Sequence, residues 1–123
     1  AEAMHPYLYW ALCPSAEESL GNPLPDARIF YHSGASVAIG TGDAPFSANT
    51  GILYELKLLQ AQAPDIPLEI LIRWATLNGA KALQAEKHLG SLEPGKSPGI
   101  ILLKNLNTRE LSLSPKAEVQ VIC

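Results

Sequence analysis

The chain turns on Val37-Ala38-Ile39-Gly40-Thr41-Gly42-Asp43. Three apolar residues run through glycine and threonine into a single carboxylate, and a loop over residues 44–50 follows. A continuous apolar run of this kind suits a strand covered on both faces, as in a parallel sheet. Parallel sheets place their binding and catalytic groups at the carboxyl ends of the strands. Asp43 is therefore the first candidate for chemistry.

The residues on either side supply the rest of an α/β pattern. Residues 7–13, Tyr-Leu-Tyr-Trp-Ala-Leu-Cys, are apolar on both parities and predict a second covered strand. Pro14 ends it, since proline cannot donate to a sheet ladder, and Gly21, Asn22, Pro23 and Pro25 mark residues 15–25 as loop. Asp26 opens a short helix whose Ile29 and Phe30 are expected to face a sheet, and Ser33-Gly34 closes it. Strand, loop, helix and strand then fit one βαβ unit. Beyond Asp43, Ser47, Asn49 or Thr50 is placed to cap a clear amphipathic helix. Its inner row is Ile52, Leu56, Leu59 and Ala63, widened by Leu53, with Glu55, Lys57 and Gln60 mostly outside the stripe. Pro64-Asp65-Ile66-Pro67 breaks the chain, and Pro67 suits the first turn of a further helix with Leu68, Leu71, Ala75 and Trp74 inward. Asn78-Gly79 is expected to interrupt that helix before a short helical piece over residues 80–83.

From Gly90 the pattern changes. Glu93-Pro94-Gly95-Lys96 carries a type II turn signature, residues 100–103 read as a strand, and residues 110–114 and 118–122 alternate polar with apolar as two half-wet strands. An organisational boundary falls near residues 90–98, dividing residues 1–90 from residues 91–123.

Charge and composition exclude several classes. The net charge is −3, and 9 basic residues are scattered without a cluster, so the footprint of a nucleic-acid binder is missing. No apolar run approaches the roughly 20 residues that span a bilayer, so no membrane partner is expected, and residues 1–12 lack the basic start of a signal peptide. Cys13 and Cys123 lie at opposite ends with no metal-type spacing, which fits reduced thiols in a cytoplasmic protein.

Five segments occur in an order that resembles the carboxy-terminal third of the metal-dependent amidohydrolases. They are Cys13-Pro14-Ser15-Ala16, Leu24-Pro25-Asp26, Gly40-Thr41-Gly42-Asp43, residues 75–83 (Ala-Thr-Leu-Asn-Gly-Ala-Lys-Ala-Leu) and residues 90–96 (Gly-Ser-Leu-Glu-Pro-Gly-Lys). The branch most similar deaminates or dechlorinates purines, pyrimidines and triazines. The resemblance implies a (β/α)8 barrel, with residues 7–13 as strand seven and residues 36–41 as strand eight. Residues 1–90 would end the barrel, and residues 91–123 would supply strands of a small β-sandwich. It also implies that Asp43 is a ligand of a catalytic divalent metal, zinc first and iron second, and handles the proton of the attacking water. Three positions depart from the family pattern: Gly42 intervenes in Gly-Thr-Asp, Glu17 stands where the Cys-Pro motif usually reaches asparagine, and Ser97-Pro98-Gly99 replaces Ala-Asp. The family's His-x-His and its later histidines would lie upstream of Ala1. That predicts a terminal fragment, an excised domain or a truncated reading frame, inactive by itself.

Local pattern alone leaves Asp43 open between a turn or helix cap and a site residue; the resemblance is what makes it a metal ligand. Glu17 is either a substrate-binding carboxylate or a solvated acid, and Glu18 is read as solvated. His5, His32 and His88 receive no catalytic role, Trp10 and Trp74 are expected in the core, and Phe46 is placed under a helix or in a pocket wall. Two functions follow. The first is a piece of an enzyme that hydrolyses a C–N bond of a small heterocycle. The second is a non-catalytic α/β module, or decayed fragment, used in assembly or partner binding. Two barrel strands with an unpaired edge predict self-association.

Overall fold

The computed structural model describes residues 8–42 and 51–122. Asp43, His5, Phe46, Cys123 and the expected caps Ser47, Asn49 and Thr50 lie outside the described residues. The fold is mixed α/β. Strand β1 (Trp10–Leu12) pairs in parallel with β2 (Val37–Ile39), Trp10 opposite Val37 and Leu12 opposite Ile39. β1 is shorter than the apolar run over residues 7–13 that predicted it, whereas β2 coincides with its three apolar residues.

The connection between them holds two helices where one was expected. Helix α1 (Pro14–Ser19) occupies the first part of the expected loop. The proline that cannot continue a strand is suited to start a helix, because the N–H it lacks would have had no partner in the first turn. Helix α2 (Ala27–Ser33) follows the sequence signals: Asp26 accepts a hydrogen bond from the Arg28 N–H at 3.1 Å, and Gly34 closes the helix at φ +74°. Of the two residues expected to face the sheet, Phe30 is half-buried with its ring 5.5 Å from that of Trp10, whereas Ile29 is exposed. Trp10 itself is 44% exposed and is not a core residue, in contrast to Trp74. Its strand has one sheet partner among the described residues.

Helices α3 (Ile52–Gln62), α4 (Leu68–Ala75) and α5 (Leu77–Ala82) come next. The break between the last two falls at Thr76, with φ −125° and ψ −83°, and not at Asn78-Gly79. Thr76 Oγ1 donates to the Ile72 carbonyl at 2.8 Å, competing with the backbone for an acceptor in the last turn of α4. Asn78 therefore lies inside α5, where its Nδ2 donates to the Val37 carbonyl at 2.8 Å. Ser36 and Gly40 bond to β1, so alternation puts the Val37 carbonyl on the opposite edge of β2, and Asn78 covers part of that edge.

The carboxy-terminal strands are β3 (Ile101–Asn107) and β4 (Ser112–Val121), an antiparallel pair. The turn before them is present, with Gly95 at φ +91° and the Lys96 N–H donating to the Glu93 carbonyl at 3.1 Å. The two strands expected over residues 110–122 are one. Lys104 pairs with Glu118 and Leu106 with Leu113, so residues 114–117 of β4 oppose Asn105 alone. This bulge absorbs Pro115, which a regular ladder would reject.

One core runs through both halves. Leu12, Val37, Ile39, Leu56, Leu59, Leu71 and Trp74 share a buried cluster with Leu113 and Ala117 of β4. The expected boundary near residue 90 therefore separates chain segments, not hydrophobic cores. The joint is polar as well. Gln60 Oε1 accepts the Leu113 N–H and its Nε2 donates to the Leu113 carbonyl, both at 2.8 Å, so one side-chain amide acts as a strand would. Lys57 Nζ donates to the carbonyls of Ala117, at 2.9 Å, and Pro115, at 3.3 Å. No helix among the described residues is long and apolar enough to cross a membrane.

Gln60→Ala removes both bonds to Leu113. With net hydrogen-bond contributions near 1 kcal/mol each, it should lower the unfolding free energy by about 1–3 kcal/mol. Urea denaturation measures the loss, and faster exchange of the Leu113 amide than of the Leu12 amide localises it.

Candidate functional site

The carboxyl ends of β1 and β2 open on one side of the parallel pair. From β1 the chain passes through Cys13 into the first turn of α1. From β2 it leaves through Gly40, Thr41 and Gly42. These two exits touch. A Cβ placed on Gly42 would lie 3.0 Å from the Ala16 Cβ and 3.3 Å from the Cys13 Cβ, and the residue sits at φ +60°. Both the close approach and the left-handed backbone favour glycine. The inserted Gly42 therefore lets β2 leave its strand across the first turn of α1.

That turn is anchored from behind by a residue whose position the sequence held but whose type disguised it. Glu55 is fully buried. Its Oε1 accepts the Ser15 N–H at 2.7 Å and its Oε2 accepts the Ser15 hydroxyl at 2.6 Å. Ser15 is itself 6% exposed. Spacing places Glu55 three residues after Ile52 and four before Leu59, on the inner stripe of α3; assigning it outward followed its charge and not its register. Stripping a carboxylate of water costs several kcal/mol, and two charge-assisted hydrogen bonds offset part of that cost.

Glu17 is half-buried and lines a shallow cleft of about 300 Å³ with Ala11, Leu12, Cys13, Pro23 and Pro25. Its Oε2 accepts from Asn22 Nδ2 at 3.0 Å, which holds the carboxylate beside the end of β1. Glu18 is exposed and accepts the Tyr54 hydroxyl at 2.9 Å. That bond, followed by desolvation and the charges of Glu18 and Glu55, holds the Tyr54 phenol above its ordinary pKa of 10.0. Two larger cavities, of about 600 and 440 Å³, lie between the helices and β3. No titratable side chain lines either one, so neither offers an acid or a base to a reaction.

The structure brings Glu17 to the strand ends. Asp43 follows Gly42 in sequence and lies outside the described residues. His32 is exposed at the end of α2, its ring 5.3 Å from that of Tyr31, and His88 is exposed in a turn. Among the described residues no three His, Cys, Asp or Glu side chains come together as a metal site. The described residues do not by themselves fit a catalytic metal.

Two outcomes follow from the anchor and its neighbour. Glu55→Ala leaves the Ser15 donors buried without acceptors and should lower the unfolding free energy by about 2–4 kcal/mol in urea denaturation, whereas Glu55→Gln, which still pairs with Ser15, should cost under about 1 kcal/mol. Tyr54 favours its protonated form in the folded chain. Its contribution to stability is therefore complete below the ordinary phenol range and is lost as pH rises through the raised value. Ring-carbon NMR titration should place the Tyr54 midpoint above 10.0, and Glu18→Ala should move it back down.

Comparison with known proteins agrees with this architecture. A profile of the amidohydrolase family matches residues 3–122. The imidazolonepropionase of Picrophilus torridus is 33% identical over 92 residues, covering 75% of this chain and 23% of that protein. The 5-methylthioadenosine/S-adenosylhomocysteine deaminase of Moorella thermoacetica is 32% identical over 117 residues, covering 89% of this chain and 27% of the relative. The chain thus spans about a quarter of the length of these curated relatives. A crystal structure of an adenosine deaminase from Xanthomonas campestris with bound zinc superposes with a TM-score of 0.61 at 24% identity, over 84% of this chain and 25% of that one. At that identity it speaks for the fold, while the family profile covers nearly the whole sequence: the chain belongs to the amidohydrolase family.

Proposed function

We propose that this chain is the closing quarter of a metal-dependent hydrolase that cleaves a C–N bond in a small heterocyclic substrate. Deamination of a purine- or pyrimidine-like ring is the reaction favoured. The observation that carries this reading is the parallel β1–β2 pair with both strand exits in contact at Gly42, within a chain matched by the amidohydrolase profile from residue 3 to residue 122. The deaminase and imidazolonepropionase relatives support the choice of substrate class. On this reading β1 and β2 are the last two strands of a (β/α)8 barrel, and β3 and β4 belong to a small β-sandwich.

Asp43 is the proposed metal ligand and proton acceptor, and Glu17 the proposed contact to the polar part of the substrate. Zinc is the metal we favour over iron, on the strength of the zinc in the Xanthomonas campestris neighbour. A divalent metal supplies Lewis acidity and an activated water at neutral pH. A catalytic site of this kind takes three protein ligands, and the others are proposed to come from further strands of the barrel. The chain's own part is to hold one carboxylate at the exit of β2, beside a cleft already carrying a second, and to shield both from the apolar core behind them. A cytoplasmic setting and self-association of the 123-residue chain belong to the same reading.

The test is a chimera in which this chain replaces the matching last quarter of the Moorella thermoacetica deaminase. It should retain zinc and release ammonia from that enzyme's substrate. Asp43→Asn in the chimera should cut the rate by roughly 10²–10⁴, the range of a lost general base, and reduce the bound zinc measured by elemental analysis. A folded, zinc-free and inactive chimera would instead favour the non-catalytic module.

A further inference from the structure

We propose that Glu55 and Ser15 are positioning residues: acting through the first turn of α1, they fix where the backbone leaves β2. The consequence for chemistry, that they set the place of Asp43 as the next residue in sequence, rests on the function proposed above.

Three observations carry the inference. Glu55 is fully buried, and both of its carboxylate oxygens go to one residue, 40 positions away. No cation pairs with it among the described residues. A residue kept only for packing would be apolar at this place on α3, because a buried ion is rarely worth its desolvation for stability alone.

The second observation concerns the start of α1: Glu17 and Glu18, later in the helix, bond to Asn22 and Tyr54, whereas its first turn has no side-chain cap. The helix has six residues. A helix of that length does not hold itself in water. Its first turn is placed by the tie to α3, which engages both the backbone and the side chain of Ser15.

The third is what rests on that turn. The ladder from β1 to β2 reaches the Gly40 N–H, which donates to the Leu12 carbonyl at 3.0 Å. Past that bond, the path of β2 is bounded by Cys13 and Ala16. A Cβ on Gly40 would stand 3.5 Å from Cys13 Sγ, and one on Gly42 would stand 3.0 Å from the Ala16 Cβ. Glu55 thus sits under Ser15, and the Ser15 neighbours lie under the exit of β2. The order of contact is α3, α1, then the end of β2.

Cys13 makes this measurable, since its sulfur lies between α1 and the exit. The experiment uses the full 123-residue chain carrying Cys123→Ser, so that Cys13 alone reports, and follows its modification by an aromatic disulfide reagent in the absence of denaturant. Ser15→Ala should raise the Cys13 rate by about tenfold or more, the factor expected when a hydrogen bond to a charged group is lost and the turn opens locally. The Gly40 amide should exchange faster by a similar factor. Ser15→Thr, which keeps the hydroxyl, should stay within about twofold of the parent, and so should Gln60→Ala, which loosens the other side of α3. The inference is overturned by an unchanged Cys13 rate in Ser15→Ala, by a rise in Ser15→Thr equal to that in Ser15→Ala, or by a rise shared with Gln60→Ala. These rates are read on the unfused chain without metal or substrate, so the inference can fail while the chimera is active, or hold while it is inactive.

Discussion

A fully buried carboxylate must find its donors in the protein, and among the described residues Glu55 finds both on Ser15. This contact makes α3 more than a packing element. Its apolar residues Leu56 and Leu59 lie in the core. Its Glu55 holds the helix that follows β1, while Lys57 and Gln60 hold β4. A helix that is apolar on one stripe normally leaves its polar residues to solvent. Here polar residues of α3 are engaged on two sides by backbone that would otherwise lack partners. The α1 turn and the β4 bulge both carry donors or acceptors that regular secondary structure does not satisfy, and α3 supplies what is missing in each place.

That dependence explains which parts of the fold were legible in the sequence. Signals that act within a few residues were readable. Asp26 capping α2, Gly34 ending it, the turn at Gly95 and the stripe of α3 all followed from local chemistry. What required a distant partner was not. Residues 15–25 look like loop because α1 is secured by a residue 40 positions away. The carboxy-terminal strands look like two because a bulge that accommodates Pro115 is completed by Asn105 and by Lys57 of α3. Trp10 looks like core because its strand is apolar, yet it is 44% exposed, on a strand that pairs with β2 alone among the described residues.

The candidate site divides in the same way. The motif ending in Asp43 marks a strand exit without any knowledge of the partner strand, because two glycines soon after three apolar residues weaken a ladder. Glu17 was legible as a residue at the same edge, and the structure adds that Asn22 holds it there. What the sequence did not announce is the reason for Gly42. In the motif it is an extra residue; in three dimensions it is a position where a Cβ would stand 3.0 Å from the Ala16 Cβ. An insertion that would disturb a regular exit becomes an adaptation to the α1 turn beneath it.

On the function proposed above, these local facts share a purpose. A hydrolytic centre assembled from several strands needs each strand to deliver its group at a fixed height and angle, since misplacement by about 1 Å can cost on the order of a hundredfold in rate. Strand β2 is three residues long and its ladder reaches only to Gly40, so pairing alone leaves the last two residues before Asp43 without a fixed path. Packing on the first turn of α1 supplies that path, and the turn in turn depends on a buried carboxylate in α3. The stability given up by burying Glu55 is then not a defect of the core. It is what gives the backbone a path across the first turn of α1 past the last ladder bond of β2.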